Sequence, residues 1–397
     1  IDAVLTAVLV LSAAASVVIK MAQPRWLAEQ PFLNGLLNIS PLWLAIRCIA
    51  GLLVLMIMAG TGPAILVGDL TGGFVFAELM PTLLAVFVFA GLLLPLLTHF
   101  GLLEMVGSLL TKVMRPLFNL PGRSAVDCMA SWLGDGSVGI LMSSKQYEEK
   151  RYTQREAAVI GTTFSAVSIS FSLVVLAQVG LEDHFVAFYL TVCLAGIIVA
   201  LIVPRLPPLS GKQDRLIDGS MRTQDDEMVP AGQSVLRFGL QNALDAVAQI
   251  KSLRSVLWLS LKNAIDMVFG VLPVVMTIGT AGLIVAEYTP LFSWLGLPFV
   301  PLLELLQIPF AKEASETMLV GFADMFIPSI LATGIQSDLT KFVIAALSVT
   351  QLIFMSEVGA LLLGSKIPVT LWELLLIFLL RTLVSLPVIA LMAHLFF

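Results

Sequence analysis

Charged side chains recur with the same spacing in two apolar stretches of this chain. One offset of 189 residues relates the pairs, which are Arg123 and Lys312, Asp127 and Glu316, and Asp135 and Asp324. Burying a charge in hydrocarbon costs on the order of a few kcal/mol, so such residues are rare and usually mark the path of a solute or an ion. Two clusters in register therefore predict an internal duplication with a functional site at its centre.

The second cluster allows a functional and a structural interpretation. In the functional interpretation, the cluster of Lys312, Glu313 and Glu316 binds a charged or zwitterionic solute or relays a proton. In the structural interpretation, Lys312 and Glu316 form an i,i+4 pair that only fixes the local geometry. Asp324 and its counterpart Asp135 coordinate a cation or the solute, or else each caps a short helix. Both alternatives stay open on the residues alone.

The first cluster and the segment after it add three candidates. Arg123 and Asp127 also stand at i,i+4 and repeat the charge pair, or Arg123 lies at the cytoplasmic surface and only reports orientation. Ser168 belongs to a segment rich in Ser and Thr, whose hydroxyl groups contact the solute or simply allow close helix packing.

Polar residues in the last two apolar segments complete the set. Gln351 and Glu357 are expensive to bury in a membrane, so both are expected to bind solute or ion. Arg381 lies deep in the final apolar segment and needs a counter-charge there. The candidates for that counter-charge are Glu357, Asp266 and Glu373.

The composition is that of a membrane protein. The 397 residues are 58% hydrophobic and only 12% charged, about half the charged fraction of a soluble domain. The net charge of −5 excludes a nucleic-acid footprint. The sequence contains no phosphate-binding GxxxxGK[ST] loop, no metal-ligand spacing and no nucleophile–base signature. We therefore expect no enzyme activity, catalytic residue, cofactor or metal.

Apolar runs long enough to cross a bilayer predict about eight transmembrane helices. They are Asp2–Lys20, Pro41–Gly60, Phe76–His99, Arg155–Gln178, His184–Val203, Ser255–Ala286, Thr340–Gly364 and Leu371–Phe397. Two further stretches, 124–144 and 309–334, contain both charges and helix breakers. These stretches are predicted to enter the membrane and return as re-entrant helical hairpins. The fold class is thus an all-α polytopic membrane protein.

Four regions follow from this pattern. Residues 1–77 form two transmembrane helices, 78–204 form a first repeat, 205–254 form a cytoplasmic linker with an amphipathic helix, and 255–397 form a second repeat. The polar part of the linker, up to Glu227, is expected to have little drive to fold. An amphipathic segment precedes each hairpin, at 102–113 and at 290–308, and lies along the membrane surface or packs in the core.

The positive charges of the loops predict orientation. The linker contains seven Lys and Arg residues, which places it in the cytoplasm. With both hairpins returning to the side from which they enter, the Lys and Arg content of the remaining loops agrees with this orientation. The two repeats then run in opposite directions across the membrane. Inverted repeats with discontinuous helices are the architecture of many secondary transporters.

Four elements follow one another in this chain: an apolar helix, an amphipathic helix, a broken hairpin with the sequence GDGS at 134–137, and a Ser/Thr-rich span. This order resembles that of the Gate-domain membrane proteins. That superfamily includes concentrative nucleoside transporters, and the likeness is nearest to its YjiH-like "nucleoside recognition" branch. It covers roughly residues 78–397. The resemblance implies inverted repeats with hairpins, and it implies a smaller Gate-domain partner, because YjiH-like proteins resemble one half of a two-gene system.

These observations predict a multi-pass protein of a bacterial inner membrane. The expected function is secondary transport of a small polar, charged or zwitterionic solute coupled to H⁺ or Na⁺. The alternative is a non-transporting subunit that stabilises or gates a smaller Gate-domain protein. The expected partners are the solute, the coupling ion, the bilayer, that smaller subunit and further copies of the chain in an oligomer, with no nucleic acid.

Overall fold

The structure is all-helical. The computed structural model describes residues 1–24, 27, 30–99, 101–133, 136–164, 167–221, 234–248 and 252–397. Across these residues the regular secondary structure is helical, apart from one isolated antiparallel bridge between Arg215 and Met221. The fold class predicted from composition is confirmed at this level.

Ten α-helices are described in the first half of the chain. They are α1 (Asp2–Ala22), α2 (Pro31–Leu37), α3 (Pro41–Met58), α4 (Met80–His99), α5 (Leu102–Phe118), α6 (Ser124–Leu133), α7 (Gly136–Glu148), α8 (Gln154–Val159), α9 (Ile169–Gln178) and α10 (Phe185–Ile202). Helical turns at Ala64–Val67 and Gly72–Phe74 and a π-helical turn at Val75–Leu79 lead into α4. A π-helical turn at Ile160–Phe164 extends α8. Short 3-10 turns lie at Glu182–His184, Val203–Arg205 and Leu209–Gly211.

The second half repeats much of this order. Its helices are α11 (Val235–Ala248), α12 (Leu253–Asp266), α13 (Leu272–Tyr288), α14 (Leu291–Gly296), α15 (Val300–Leu305), α16 (Ala311–Met318), α17 (Ile327–Ala332), α18 (Asp338–Gln351), α19 (Val358–Gly364) and α20 (Leu371–Phe396). A π-helical turn at Met267–Val271 joins α12 to α13, and 3-10 turns lie at Leu297–Phe299 and Val320–Phe322. The elements from α4 to α10 have counterparts between α13 and α20. Corresponding elements lie about as far apart in sequence as the two charge clusters.

Six helical segments in the described residues are long and apolar enough to cross a membrane. They are Asp2–Ala22, Pro41–Met58, Ala64–Leu93, Glu182–Arg205, Arg254–Tyr288 and Leu371–Phe396. Each matches a predicted span. The remaining predicted spans, Arg155–Gln178 and Thr340–Gly364, are each interrupted, because α8 and α9 are separate helices and so are α18 and α19. The chain is thus a multi-pass membrane protein with two broken helices where continuous spans were expected.

Contacts divide the chain into two compact units. The first contains Ile1–Leu102 and Leu244–Tyr288, and the second contains Leu103–Ala243 and Thr289–Phe397. In the first unit α4 packs closely against α12, where a Cβ atom added at Gly91 would lie 2.9 Å from Cβ of Ala264. Small residues at such a crossing let two membrane helices approach each other.

The predicted linker is folded as far as Met221, contrary to expectation. Lys212 Nζ lies 2.6 Å from Glu373 Oε1, and the backbone N–H of Gln154 donates to the carbonyl of Arg215 at 2.8 Å. Lys150 Nζ contacts Asp218 Oδ2 at 2.7 Å. The bonds from Lys150 and Ser220 hold the pKa of Asp218 well below its usual range. Ion pairs and backbone hydrogen bonds therefore hold this part of the linker against neighbouring segments. Residues 222–233 lie outside the described part of the chain.

The amphipathic segments form helices with their apolar sides only partly buried. In α5, Leu103 is buried whereas Leu109 and Val113 are exposed. The predicted helix at 290–308 is divided into α14, a 3-10 turn and α15, with Phe299 and Leu303 buried. In α11, the whole predicted apolar stripe is exposed, at Leu236, Leu240, Leu244 and Val247. Their location along the membrane surface stays a prediction.

The contact at Gly91 gives a test of this packing. We expect Gly91→Leu to lower the free energy of unfolding by about 2 kcal/mol, because the added side chain overpacks the α4–α12 crossing. The matched control is Gly35→Leu, since a Cβ atom at Gly35 meets nothing within 4 Å. Thermal unfolding in detergent measures both variants, and an equal effect of the two would contradict the close crossing.

Candidate functional site

The candidate site lies around the two broken helices of the second unit. α18 ends at Gln351, and the following residue, Leu352, has a left-handed backbone with a φ of 60°. That conformation costs a residue with a side chain about 1 kcal/mol or more. A helix that ends here leaves its last carbonyl groups without partners inside the helix. The neighbouring residues must therefore supply those partners.

The turn between α16 and α17 is joined to the break between α18 and α19. The backbone N–H of Met355 donates to the carbonyl of Phe322 at 2.8 Å, and that of Ser356 donates to the carbonyl of Ala323 at 2.9 Å. The hydroxyl of Ser356 adds a 2.5 Å hydrogen bond to Oδ2 of Asp324. Three hydrogen bonds thus fix the tip of the second predicted hairpin to the interrupted helix.

Asp324 lies in the turn before α17 and also reaches the break. Its Oδ1 accepts a 2.8 Å hydrogen bond from the backbone N–H of Phe326, directly before α17, while Oδ2 contacts Ser356. The side chain is only 4% exposed. Phe326 is the N-cap residue of α17, and among the described residues no side chain caps this helix. One oxygen of Asp324 therefore holds the turn, and the other holds the tip against the break.

Gln351 ties three helices together. Its side-chain nitrogen donates to the carbonyl of Met318 at the end of α16 and to the hydroxyl of Thr382 on α20, both at 2.8 Å. Gln351 is buried, and its amide lies close to Gly321. A side chain at Gly321 would displace this amide, so glycine is needed for the close approach.

Arg381 joins the two broken helices. Its Nε and Nη2 donate to the carbonyl of Thr350 in the last turn of α18, at 3.1 and 2.5 Å. Its Nη1 donates to the carbonyl of Thr162, in the π-helical turn that ends α8, at 2.9 Å. The residue is 2% exposed. The prediction that Glu357, Asp266 or Glu373 neutralises Arg381 is wrong: within the described residues its hydrogen bonds go to backbone carbonyls.

The first predicted hairpin is closed around Asp127. The chain doubles back between α6 and α7, so that the fully buried carboxylate accepts hydrogen bonds from Ser143 Oγ at 3.0 Å and Gln146 Nε2 at 2.7 Å. The hydroxyl of Tyr152 donates a further bond at 2.9 Å. These bonds use both carboxylate oxygens, so Asp127 fixes the fold of the hairpin. The depth of this hairpin in the membrane stays a prediction.

The charged cluster on α16 is not part of this centre. Lys312, Glu313 and Glu316 are all exposed, and no ion pair joins Lys312 to Glu316 in the part of the chain that the structure describes. The predicted i,i+4 pair is therefore wrong. Asp127 and Glu316, which are equivalent by sequence offset, have opposite environments.

The other candidate site residues lie at separate positions in the fold. Glu357 is half-buried directly before α19, and Ser168 is half-buried before α9, where its hydroxyl accepts a 3.3 Å hydrogen bond from the backbone N–H of Phe171. Arg123 is half-buried, and its role beside Asp127 stays a prediction. Asp135 lies outside the described residues. No group of His, Cys, Asp and Glu residues among those described is placed to hold a metal ion.

A cavity beside Arg381 was not anticipated from the sequence. It has a volume of about 80 Å³, and its walls include Trp132, Phe164, Tyr189, Thr350 and Arg381. These aromatic residues come from α6, α10 and the end of α8, which are distant in sequence, and none of them carries a pattern that marks a site. The isolated charge of Arg381 in a long apolar helix was the available signal.

Comparison with known proteins identifies the family. Residues 80–182 match the Gate family, described as nucleoside recognition. An uncharacterized protein of Alkalihalophilus pseudofirmus is 50% identical over 395 residues, which is all of this chain and 85% of that protein. The chain belongs to the Gate-domain membrane protein family. Its Gate match ends before the linker and falls on the first predicted repeat; the second repeat and the YjiH-like branch stay predictions. No solved structure matches this Gate-domain protein.

The two bonds of Asp324 predict a difference between two substitutions. We expect Asp324→Ala to lower the free energy of unfolding by about 2 kcal/mol, because it leaves the Phe326 N–H and the Ser356 hydroxyl without their acceptors. Asp324→Asn keeps an oxygen for the Phe326 N–H and should lose much less. Thermal unfolding of the purified protein compares them, and equal losses would argue against a contribution of the hydrogen bond from Phe326.

Proposed function

We propose that this Gate-domain protein is a secondary active transporter of a small polar solute that is charged or zwitterionic, coupled to H⁺ or Na⁺. The observation that carries the proposal is the meeting of two broken helices in one unit, with Arg381 bonded to the carbonyl of Thr162 in one and of Thr350 in the other. Broken helices near the membrane midplane form the solute sites of many secondary transporters.

The contacts at the second hairpin support a moving part. A tip that is held by three hydrogen bonds can detach and reattach without unfolding either helix, because the bonds lie at the turn and at the break. The net contribution of each is about 1 kcal/mol in stability. The free energy needed to break these bonds is small enough for a gate that opens on binding a solute. Asp324 is then the group that carries or senses the coupling cation.

Uptake into proteoliposomes tests the proposal. We expect the reconstituted protein to accumulate solute only under an imposed H⁺ or Na⁺ gradient, and Asp324→Asn to reduce that uptake at least about tenfold, since a neutral amide cannot carry the charge. Screening begins with small carboxylates, amino acids and nucleosides. Gradient-driven uptake that is unchanged in Asp324→Asn would remove Asp324 from coupling, and the absence of any gradient-dependent uptake would contradict transport.

The exposed charges of α16 favour a second candidate function. If the hairpin at 309–334 enters the membrane, Lys312, Glu313 and Glu316 would meet lipid at a cost of about 3 kcal/mol each. A partner with complementary charges would remove that cost. The alternative is therefore a subunit that stabilises or gates a smaller Gate-domain protein.

Co-expression separates the two candidates. We expect the double variant Lys312→Ala/Glu316→Ala to lose co-purification with a smaller Gate-domain protein, because the charged face that binds it is gone. The matched control is Lys341→Ala/Asp338→Ala, another pair on this half of the chain. A complex that survives the first double variant would place the partner surface elsewhere.

A further inference from the structure

We propose that the cavity beside Arg381 binds a short-chain monocarboxylate of about two or three carbons. This inference rests on the proposed function and names the class of its solute. The cavity lies wholly within the second unit and is lined by residues of α5, α6, α10, α18, α20 and the segment that follows α8. Arg381 forms part of its wall.

Two polar groups of the wall, the guanidinium of Arg381 and the indole of Trp132, can donate further hydrogen bonds. A guanidinium has more N–H groups than the three bonds that Arg381 makes to Thr162 and Thr350 in the described part of the chain. The buried indole N–H of Trp132 finds no nitrogen or oxygen acceptor among the described residues and interacts only with the thiol of Cys128, a weak acceptor. The ligand must therefore bring acceptor atoms.

Two hydroxyl groups in the wall already donate their protons. Thr163 donates to the carbonyl of Val159, and Thr350 donates to that of Ala346, both within their own helices. A cation would face the positive charge of Arg381, whereas an anion would be attracted to it. Buried charges are stable only when they are paired and hydrogen-bonded. The two helix ends offset part of the guanidinium charge, and an anionic ligand accepts from the N–H groups that the carbonyls leave over.

Size and apolar surface narrow the ligand further. Aromatic and aliphatic side chains, among them Phe118, Phe164, Tyr189 and Val192, form most of the wall. A cavity of roughly 150 Å³ holds benzene, so the volume of about 80 Å³ favours a small ligand of a few heavy atoms. A carboxylate on Arg381 with a methyl or ethyl group against the aromatic rings meets all of these conditions.

Calorimetric titration of the purified protein in lipid nanodiscs tests the proposal, with propionate as the probe and propionamide as its neutral match. We expect propionate to bind and propionamide to bind at least about tenfold more weakly, because the amide has no charge to place beside the guanidinium. No binding of propionate, or equal binding of the two, would overturn the proposal. Displacement of propionate by equimolar chloride would overturn the carboxylate assignment.

Two variants locate the binding. Gly196 lines the cavity, and a Cβ atom there meets nothing within 4 Å, so Gly196→Leu should fill the cavity without a backbone clash and weaken propionate binding at least about tenfold. Gly35→Leu is the control, with the same added bulk in open space on α2 of the first unit. Arg381→Lys should also weaken binding about tenfold by losing the planar fork. Binding that persists in Gly196→Leu would place the carboxylate elsewhere.

Failure of the site and failure of transport are distinguishable. Propionate binding that is lost in Gly196→Leu, together with no gradient-driven uptake of any solute, supports the site and contradicts the transporter. Gradient-driven uptake of another solute that persists unchanged in Gly196→Leu supports the transporter and contradicts the cavity as its solute site.

Discussion

A helix that ends in the buried interior leaves carbonyl groups with neither an intrahelical partner nor water, and the second unit is organised around that constraint. Arg381 meets it for both broken helices, with hydrogen bonds to the carbonyls of Thr350 and Thr162. Each helix end carries about half a negative charge. One guanidinium therefore offsets much of the charge at both ends, and it connects the two halves of the chain where each is interrupted.

The same constraint explains why the two hairpins differ although their charges are equally spaced. In the first, Asp127 is satisfied by side chains of its own hairpin and the following turn, which makes that element self-contained. In the second, the bonds of Asp324 and the carbonyls of Phe322 and Ala323 connect the turn to the break after α18. Asp324 thus depends on a second element, and that dependence is what a gate requires.

Six of the eight predicted spans coincide with long apolar helices, because length and hydropathy decide whether a helix can span a membrane. The breaks after Phe164 and Gln351 were not predicted, since no proline or charge run marks them and only tertiary contacts stabilise them. Burial was misjudged for Lys312 and Glu316, because periodicity within one helix does not say which side faces outward. The partners of Arg381 were missed because backbone carbonyls have no residue type to recognise.

The most direct test of this account is the environment of Arg381 in a high-resolution electron cryo-microscopy map of the protein in a lipid nanodisc. We expect the guanidinium to lie within hydrogen-bonding distance of the carbonyl oxygens of both Thr162 and Thr350, each in the last helical turn of an interrupted helix. A guanidinium paired with a carboxylate such as Glu357, between two continuous helices, would contradict it.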